Sequence, residues 1–535
     1  MQDVQDSSSK STLPHFRQLT HTLFMSSGEC FYSSIDSVQC DETQPRCNRC
    51  AKANRMCYGM PPVGEPNHVY HLENTFASGV KKRPRGPRPR PVPSSQSTLY
   101  IDHQTPGSSS LDLKAQAVHY YTQNYLRTLS DAPDLVKAVY DFPALWKSLE
   151  KYPILDLAIS SIALAVFSRA KNHPPAAIEA SEHYHRLLQL TQQTIFSLDE
   201  SNVDICLLAI FFMGRYEQVV HCPEPSHLQL KFPLHSCVQS FSHHDGNLAI
   251  LKSWKEVLSG KLPATDVIKR VRRGMMRSAL LRSLALPEWI VDGSQFGESG
   301  LELEYDGLMV RVIEIRERLM RLESERTIQG SLSPESASVV EELALEAQEV
   351  DIALQDWTTR FPESWAYQRH TLHEPLLFPT KDFYTAEVLT YQSLGYAAVW
   401  NLYLATRILV NCSRVNTLEL IHPDDRFRRS EYLNIINNAA RDLASSIPFC
   451  RHIISIADTE GSAPGNKTIT INNKANQEEE QHVSVTIVWP LSMAAGLSRV
   501  EVKPRAWFRT ELARIGRLIH DSVLAGAERD GWLKG

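Results

Sequence analysis

No unbroken apolar run in this sequence reaches the length needed to cross a bilayer. The longest runs, "ILDLAISSIALAVF" from Ile154 and "ICLLAIFFM" from Ile205, fall short of the roughly 20 residues required, and the first carries Asp156. No membrane partner is expected. The opening "MQDVQDSSSKSTLPHF" has neither a basic stretch leading into an apolar one nor a small-residue cleavage site, so export is not signalled. Cysteine is scarce, with 10 in 535 residues. In the reducing compartment that this implies, a clustered set points to metal rather than to disulfides. The commonest catalytic signatures are missing too: G-x-x-x-x-G-K-[ST], H-E-x-x-H and G-x-S-x-G do not occur, and "GSQFGESG" (Gly293 to Gly300) is not a strand-to-helix phosphate loop. An enzyme is not expected.

What is present is enough apolar material, 42% of the residues, for a substantial core, and room for two or three domains. The net charge of −5 conceals an asymmetry. Between Asp41 and Arg90 stand ten Lys or Arg against four acids, so the rest of the chain is the acidic part. A small basic module on an acidic body suits a nucleic-acid binder with a separate regulatory domain.

Residues 1–29 are Ser-, Gln- and Thr-rich without a sustained period and are expected to be disordered. Residues 59–110 shift to Pro, Gly, Ser and Arg around "KKRPRGPRPRPVP" (Lys81 to Pro93); alternating proline forbids helix and favours an extended linker. No leucine heptad follows, so a homodimer would have to form through the body that comes next.

That body, residues 111–535, reads as helix after helix. "LDLKAQAVHYYTQNYLRTL" (Leu111 to Leu129) places Ala117, Tyr120, Tyr121 and Tyr125 close to one face. Ser201, three residues ahead of Asp204, marks a helix start, as does Ser333 before Pro334. Further helices are predicted over Asp382 to Val410 and Arg505 to Ala527, and the polar residues 461–482 as a long exposed loop. In "VIKRVRRGMMRSALLR" (Val267 to Arg282), six basic residues are expected on a solvated helix face. The fold class expected is mostly α, a small N-terminal module joined by a Pro/Arg-rich linker to a large all-α domain.

Four cysteines, Cys40, Cys47, Cys50 and Cys57, fall within 18 positions at the spacing C-x6-C-x2-C-x6-C. A thiolate supplies the charge and soft sulfur that zinc prefers, and a structural zinc takes four ligands in a tetrahedron. Cys47 and Cys50 reach one ion from a single turn. "CDETQPRCNRCAKANRMCYG" resembles the second part of the fungal binuclear zinc cluster, in which six cysteines share two zinc ions, down to the Cys-Asp-Glu, the loop Pro45 and the glycine after the last cysteine. The resemblance implies two further ligands, at positions 30 and 33. The first is Cys30; the second is Ser33. Residues 30–58 therefore read as an incomplete cluster with Cys30, Cys40, Cys47, Cys50 and Cys57 as metal ligands.

The same family places a Lys/Arg-rich loop ahead of the third cysteine, where a short helix reads the major groove. Here it is "SIDSVQ" (Ser34 to Gln39), with no base and one acid. Two origins are open: a DNA-reading half that has degenerated, or a misassigned exon boundary that replaced a normal first half. The abrupt onset of the resemblance at Val38 favours the second. If the chain is as written, the resemblance implies that Cys30, Cys47, Cys50 and Cys57 still hold one zinc.

Arg46, Arg49, Lys52 and Arg55 within the cluster, with Lys81, Lys82, Arg83 and Arg85 in the linker, are the DNA-binding candidates, and the linker run also reads as a nuclear import signal. Four pieces of the body resemble the fungal-specific transcription factor domain that accompanies such clusters: "HHDGNLAIL" (His243 to Leu251), "AVWNLYLATRILV" (Ala398 to Val410), "VWPLSMAAG" (Val488 to Gly496) and "RAWFRTELARIG" from Arg505. Within them, Tyr396, Trp400, Tyr403 and Arg407 are expected as packing surface with Arg407 near the rim, and His243, His244 and Asp245 as structural residues. The resemblance implies a nuclear zinc-dependent transcription regulator acting on double-stranded DNA, plausibly for biosynthetic genes; the alternative is a DNA-blind interaction protein. No effector is legible.

Overall fold

The computed structural model describes residues 112–125, 133, 135, 152–220, 234–372, 378–458, 467–472 and 477–529. The zinc-ligand and DNA-contact candidates all lie outside them. The described chain is mostly helical, as expected, with two small antiparallel hairpins that were not.

The first half comprises α1 (Leu113–Tyr125), α2 (Pro153–Lys171), α3 (Pro174–Ile195), α4 (Val203–Val220) and α5 (Leu234–Ser253), followed by a π-helical turn at Trp254–Leu258 and α6 (Asp266–Arg282). Local chemistry sets the ends. Proline opens both α2 and α3, where its missing N–H is no loss, and Asn172 closes α2 in the left-handed region. Thr265 caps α6, accepting from Ile268 N (3.3 Å) while donating to Asp204 (2.8 Å). The expected cap at Ser201 is corrected: its N–H and hydroxyl both go to Asp199 Oδ1 (2.8 and 2.6 Å), and the helix starts at Val203. Among the described helices α2 alone is long and apolar enough for a bilayer by composition, but 67% of that window is buried among its neighbours, as a core helix would be.

The second half contains α7 (Glu288–Val291), a 3-10 turn at Gly293–Phe296, α8 (Gly300–Gln329), α9 (Pro334–Thr359), α10 (Leu394–Ile421), α11 (Arg426–Cys450), α12 (Gln477–Gly496), α13 (Val502–Leu518) and α14 (Ser522–Ala525). Ser333 caps α9 as expected, accepting from Ser336 N (3.0 Å), with Pro334 in the first turn.

Three expectations are corrected here. The helix placed over Asp382 to Val410 begins only at Leu394, capped by Ser393. Ahead of it, β2 (Glu387–Thr390) pairs antiparallel with β1 (Gln368–Thr371), Gln368 facing Thr390. The stretch 461–482 is not all loop: β4 (Lys467–Ile471) pairs with β3 (Ile454–Asp458), and α12 starts at Gln477. The final helix divides, because His520 adopts positive φ and Asp521 caps α14 through Val523 N and Leu524 N (both 3.0 Å).

Two apolar cores result. One collects α1 to α4 and the first half of α6 around Trp254 and Phe296. The other collects α8 to α13 around Trp357 and Phe508, and Met276, Ala279 and Leu280 from the second half of α6 belong to it. The two halves also meet where α14 returns to α4: Ser522 Oγ donates to the Gln218 carbonyl (3.0 Å), and Arg215 reaches Asp521 (3.4 Å).

That return depends on Gly516, where a Cβ would collide with the backbone of Leu524 and Ala525. Gly516→Ala is expected to lower the apparent unfolding midpoint by the equivalent of about 1–3 kcal/mol. Gly274→Ala, in α6 with open space around it, should leave the midpoint unchanged or raise it. Equal midpoints for the two variants in thermal unfolding would contradict the packing.

Candidate functional site

The ligand candidates Cys30, Cys40, Cys47, Cys50 and Cys57 and the DNA-contact candidates Arg46, Arg49, Lys52, Arg55, Lys81, Lys82, Arg83 and Arg85 lie outside the described residues. Among the described residues no group of three or more His, Cys, Asp or Glu is placed to hold a metal. Cys206, Cys412 and Cys450 are single buried thiols, pushed up to about 12, 12 and 11 respectively by burial, and so remain protonated and unreactive at neutral pH.

The densest charged constellation in the described chain is at the seam between the two cores. Arg272 is wholly buried. Its Nε donates to the Ile290 carbonyl (2.9 Å) and Nη2 to the Val291 carbonyl (2.8 Å), and Nη1 donates to Glu298 Oε2 and Asp306 Oδ2 (both 2.8 Å). Phe296 lies beneath the guanidinium, 5.2 Å from ring centre to Cζ. Arg273 donates from Nε to Asp306 Oδ2 (3.1 Å) and from Nη2 to Glu302 (3.0 Å), and stands 3.5 Å from Glu298. This corrects the expectation of a solvated basic face on α6. Arg270 and Arg277 lean on aromatic rings instead, those of Phe211 (4.9 Å) and Trp489 (5.7 Å).

Local sequence brings these groups together. Ile268, Arg272, Met275 and Ala279 form one row along α6, an arginine inside an apolar stripe, and Glu302, Asp306, Met309 and Ile313 form the matching row along α8. Glu298 arrives from the turn between α7 and α8. A Cβ on Gly293 would sit 2.8 Å from Glu298 Oε2 and 2.9 Å from Leu303 Cδ1, so any side chain there would have to push Glu298 or Leu303 aside. "GSQFGESG" is thus a turn that carries a buried acid, and the charged members of the two apolar rows were the signal that would have revealed the site.

Burial, with Asp306 alongside, pushes the Glu298 carboxyl up to about 8 against the pull of the two arginines. A proton on Glu298 leaves two guanidinium groups facing two carboxylates, and the buried cluster carries no net charge. Every nitrogen of Arg272 already donates to protein oxygen, so Arg272 holds helices rather than a ligand.

The remaining expectations resolve as packing. His243 is buried with Nε2 2.9 Å from Glu217 Oε2, Tyr184 donates to the other Glu217 oxygen (2.6 Å), and Asp245 pairs with Arg282 (2.5 Å). Burial lowers His244 to about 4. Trp400 Nε1 donates to the Trp365 carbonyl (2.8 Å) and its ring meets Phe361, Tyr367 and Tyr403 edge-on. Arg407, half-buried, donates to Asp351 (3.1 Å), which also accepts from Asn411 (2.8 Å) and Arg414 (3.3 Å). The stretches from Ala398, Val488 and Arg505, in α10, α12 and α13, contribute to a single core.

Comparison with known protein families, with characterised proteins and with solved structures finds no match to this chain.

Glu298 gives stability a pH dependence. Below the ordinary 4.5 the group is protonated folded and unfolded alike; between 4.5 and about 8 the folded protein keeps a proton that the unfolded chain releases. Its contribution is therefore full below 4.5 and is lost as pH rises through about 8. Glu298→Gln, which mimics the protonated form, should fold and flatten the urea midpoint over this range. Arg272→Met leaves buried carboxyls without their cation and should destabilise by about 3–5 kcal/mol. Unfolding midpoints of Glu298→Gln that follow pH as steeply as the parent's would refute the assignment.

Proposed function

We propose that this chain is a nuclear, zinc-dependent, sequence-specific DNA-binding transcription regulator, in which a thiolate-held zinc module sets a short helix in the major groove and the helical unit receives a signal or a partner. The observation that carries the reading is the spacing of Cys40, Cys47, Cys50 and Cys57 beside a run of basic residues. Cys30, Cys47, Cys50 and Cys57 would hold one ion, with Cys40 left short of the partner that Ser33 does not supply. Arg46, Arg49, Lys52 and Arg55, with Lys81, Lys82, Arg83 and Arg85, would contact phosphate. A mostly helical body whose buried charges are engaged in holding its helices supports a regulatory role for it, and no catalytic role is assigned.

One observation favours a second reading, a DNA-blind regulator that engages partners, including a second copy of itself, through the helical unit. The loop that would read bases is "SIDSVQ", which offers an acid to a surface of phosphates.

Zinc analysis of the purified full chain by native mass spectrometry is expected to find one tightly held ion, and a chain that retains none overturns the metal assignment. Gel shifts against random duplex pools, run at rising salt, separate the two readings. A selected sequence still bound near 0.15 M salt supports the regulator, whereas weak binding that fades below this concentration supports the DNA-blind form.

A further inference from the structure

The return of the chain from α13 to α4 turns on one residue. α13 ends at Leu518, His520 takes up φ 56° in the left-handed region, and α14 then runs back onto α4. A histidine is uncommon in that region and holds it only while its surroundings require it. Here the requirement comes from Asp521. Its N–H donates to the Gly516 carbonyl (2.8 Å), its Oδ1 caps α14, and its Oδ2 meets Arg215 of α4 (3.4 Å). Ser522 adds its bond to the Gln218 carbonyl. Asp521 and Ser522 are buried, and His520 is half-buried.

The charges at this corner are uneven. Arg169 on α2 donates to the Val220 carbonyl at the end of α4 (3.2 Å), and its charge reaches His520; Arg215 is the second cation. Arg517 and Glu528, on either side of the turn, answer each other (3.4 Å). Asp521 supplies the negative charge, and both of its oxygens are already engaged. Among the described residues the His520 ring makes no hydrogen bond and no ion pair. Burial, and then Arg169, draw His520 below its ordinary 6.5. The neutral ring therefore belongs to the seated turn, and its contribution is complete above 6.5 and is lost as pH falls below that value. Burial draws the Asp521 carboxyl upward against the pull of Arg215, which acts in the opposite sense and favours the seated turn in acid.

We propose that residues 520–525 form an acid-released latch between the two halves: with His520 neutral α14 is seated on α4, and a proton on His520 adds a further cation beside Arg169 and Arg215 and lifts it. Release returns His520 from the left-handed region and uncovers α4 around Arg215 and Gln218, while each core keeps its own packing. A strained hinge residue, a helix of four residues that cannot stand alone and a seam held by two polar contacts make this opening local. The Glu298 carboxyl works with the opposite sign, adding stability towards acid, so a loss confined to this corner is separable from it. The inference rests on the helical unit alone and stands whether or not the N-terminal part reads DNA.

Hydrogen exchange of the full chain, followed by mass spectrometry from about pH 8 to about pH 5 and corrected for the intrinsic pH dependence of exchange, tests it. Protection of peptides covering residues 516–527 and 213–220 is expected to fall about tenfold or more as pH drops below 6.5, while peptides within α10 and α11 keep theirs. His520→Asn, which carries no proton to gain and tolerates the left-handed region, should keep α14 seated and flatten the dependence. Arg169→Gln, which keeps the histidine and removes the cation that opposes its proton, should show a shallower fall than the parent. Protection that stays level or rises towards acid in the parent, a loss shared by α10 and α11, or a fall in His520→Asn as steep as the parent's overturns the proposal. If His520→Asn does not fold, Arg169→Gln decides it, and a slope equal to the parent's overturns the latch.

Discussion

The helical unit is organised around the pairing of Arg272 and Arg273 with Asp306, Glu298 and Glu302. Apolar side chains supply the driving force on either side of it, but apolar contact is non-directional and leaves helices free to slide and rotate. Charged groups in a dry seam are not so tolerant. An ion pair of this kind adds little beyond what a well-packed apolar pair would give, yet one partner without the other is severely unfavourable. The network therefore acts on arrangement more than on magnitude. It sets α6 against α8, holds the 290–298 segment by two carbonyls and a carboxyl, and lets two cores behave as one body.

The same device recurs where helices distant in sequence meet. Asp351 on α9 takes three donors from α10. Arg451, at the end of α11, reaches Glu511 on α13 (3.2 Å) and Asp382 ahead of β2 (3.1 Å). In each case a buried charge is answered by another element, so that breaking register between helices would strand it.

Legibility followed the range of the interaction. Ser333 and Pro334 begin α9 as expected because capping is settled within one turn. Ser201 misled because Asp199, two residues away, competes for the same hydroxyl and N–H. The residues before Leu394 were read as helix from their apolar content, but β2 exists only because residues 368–371 lie alongside. Much of 461–482 looked like loop because a hairpin strand with a polar face carries little periodic signal of its own. The glycine of the Gly293 turn drew attention as a phosphate loop that failed, whereas its role is to let a buried carboxyl approach.

By itself the sequence determined the helical class of the body, the spacing of the cysteines and the separation of a basic segment from an acidic remainder. These follow from short-range periodicity, from ligand spacing and from composition, none of which needs a partner. The tertiary structure alone decided which charges are buried. Arg272 and Arg270 stand two residues apart on one basic helix; one is sealed among carboxylates from 26 and 34 residues away, the other lies against Phe211. The dielectric and the counter-charges around a side chain belong to the elements that fold over it, and no local stretch of sequence contains them.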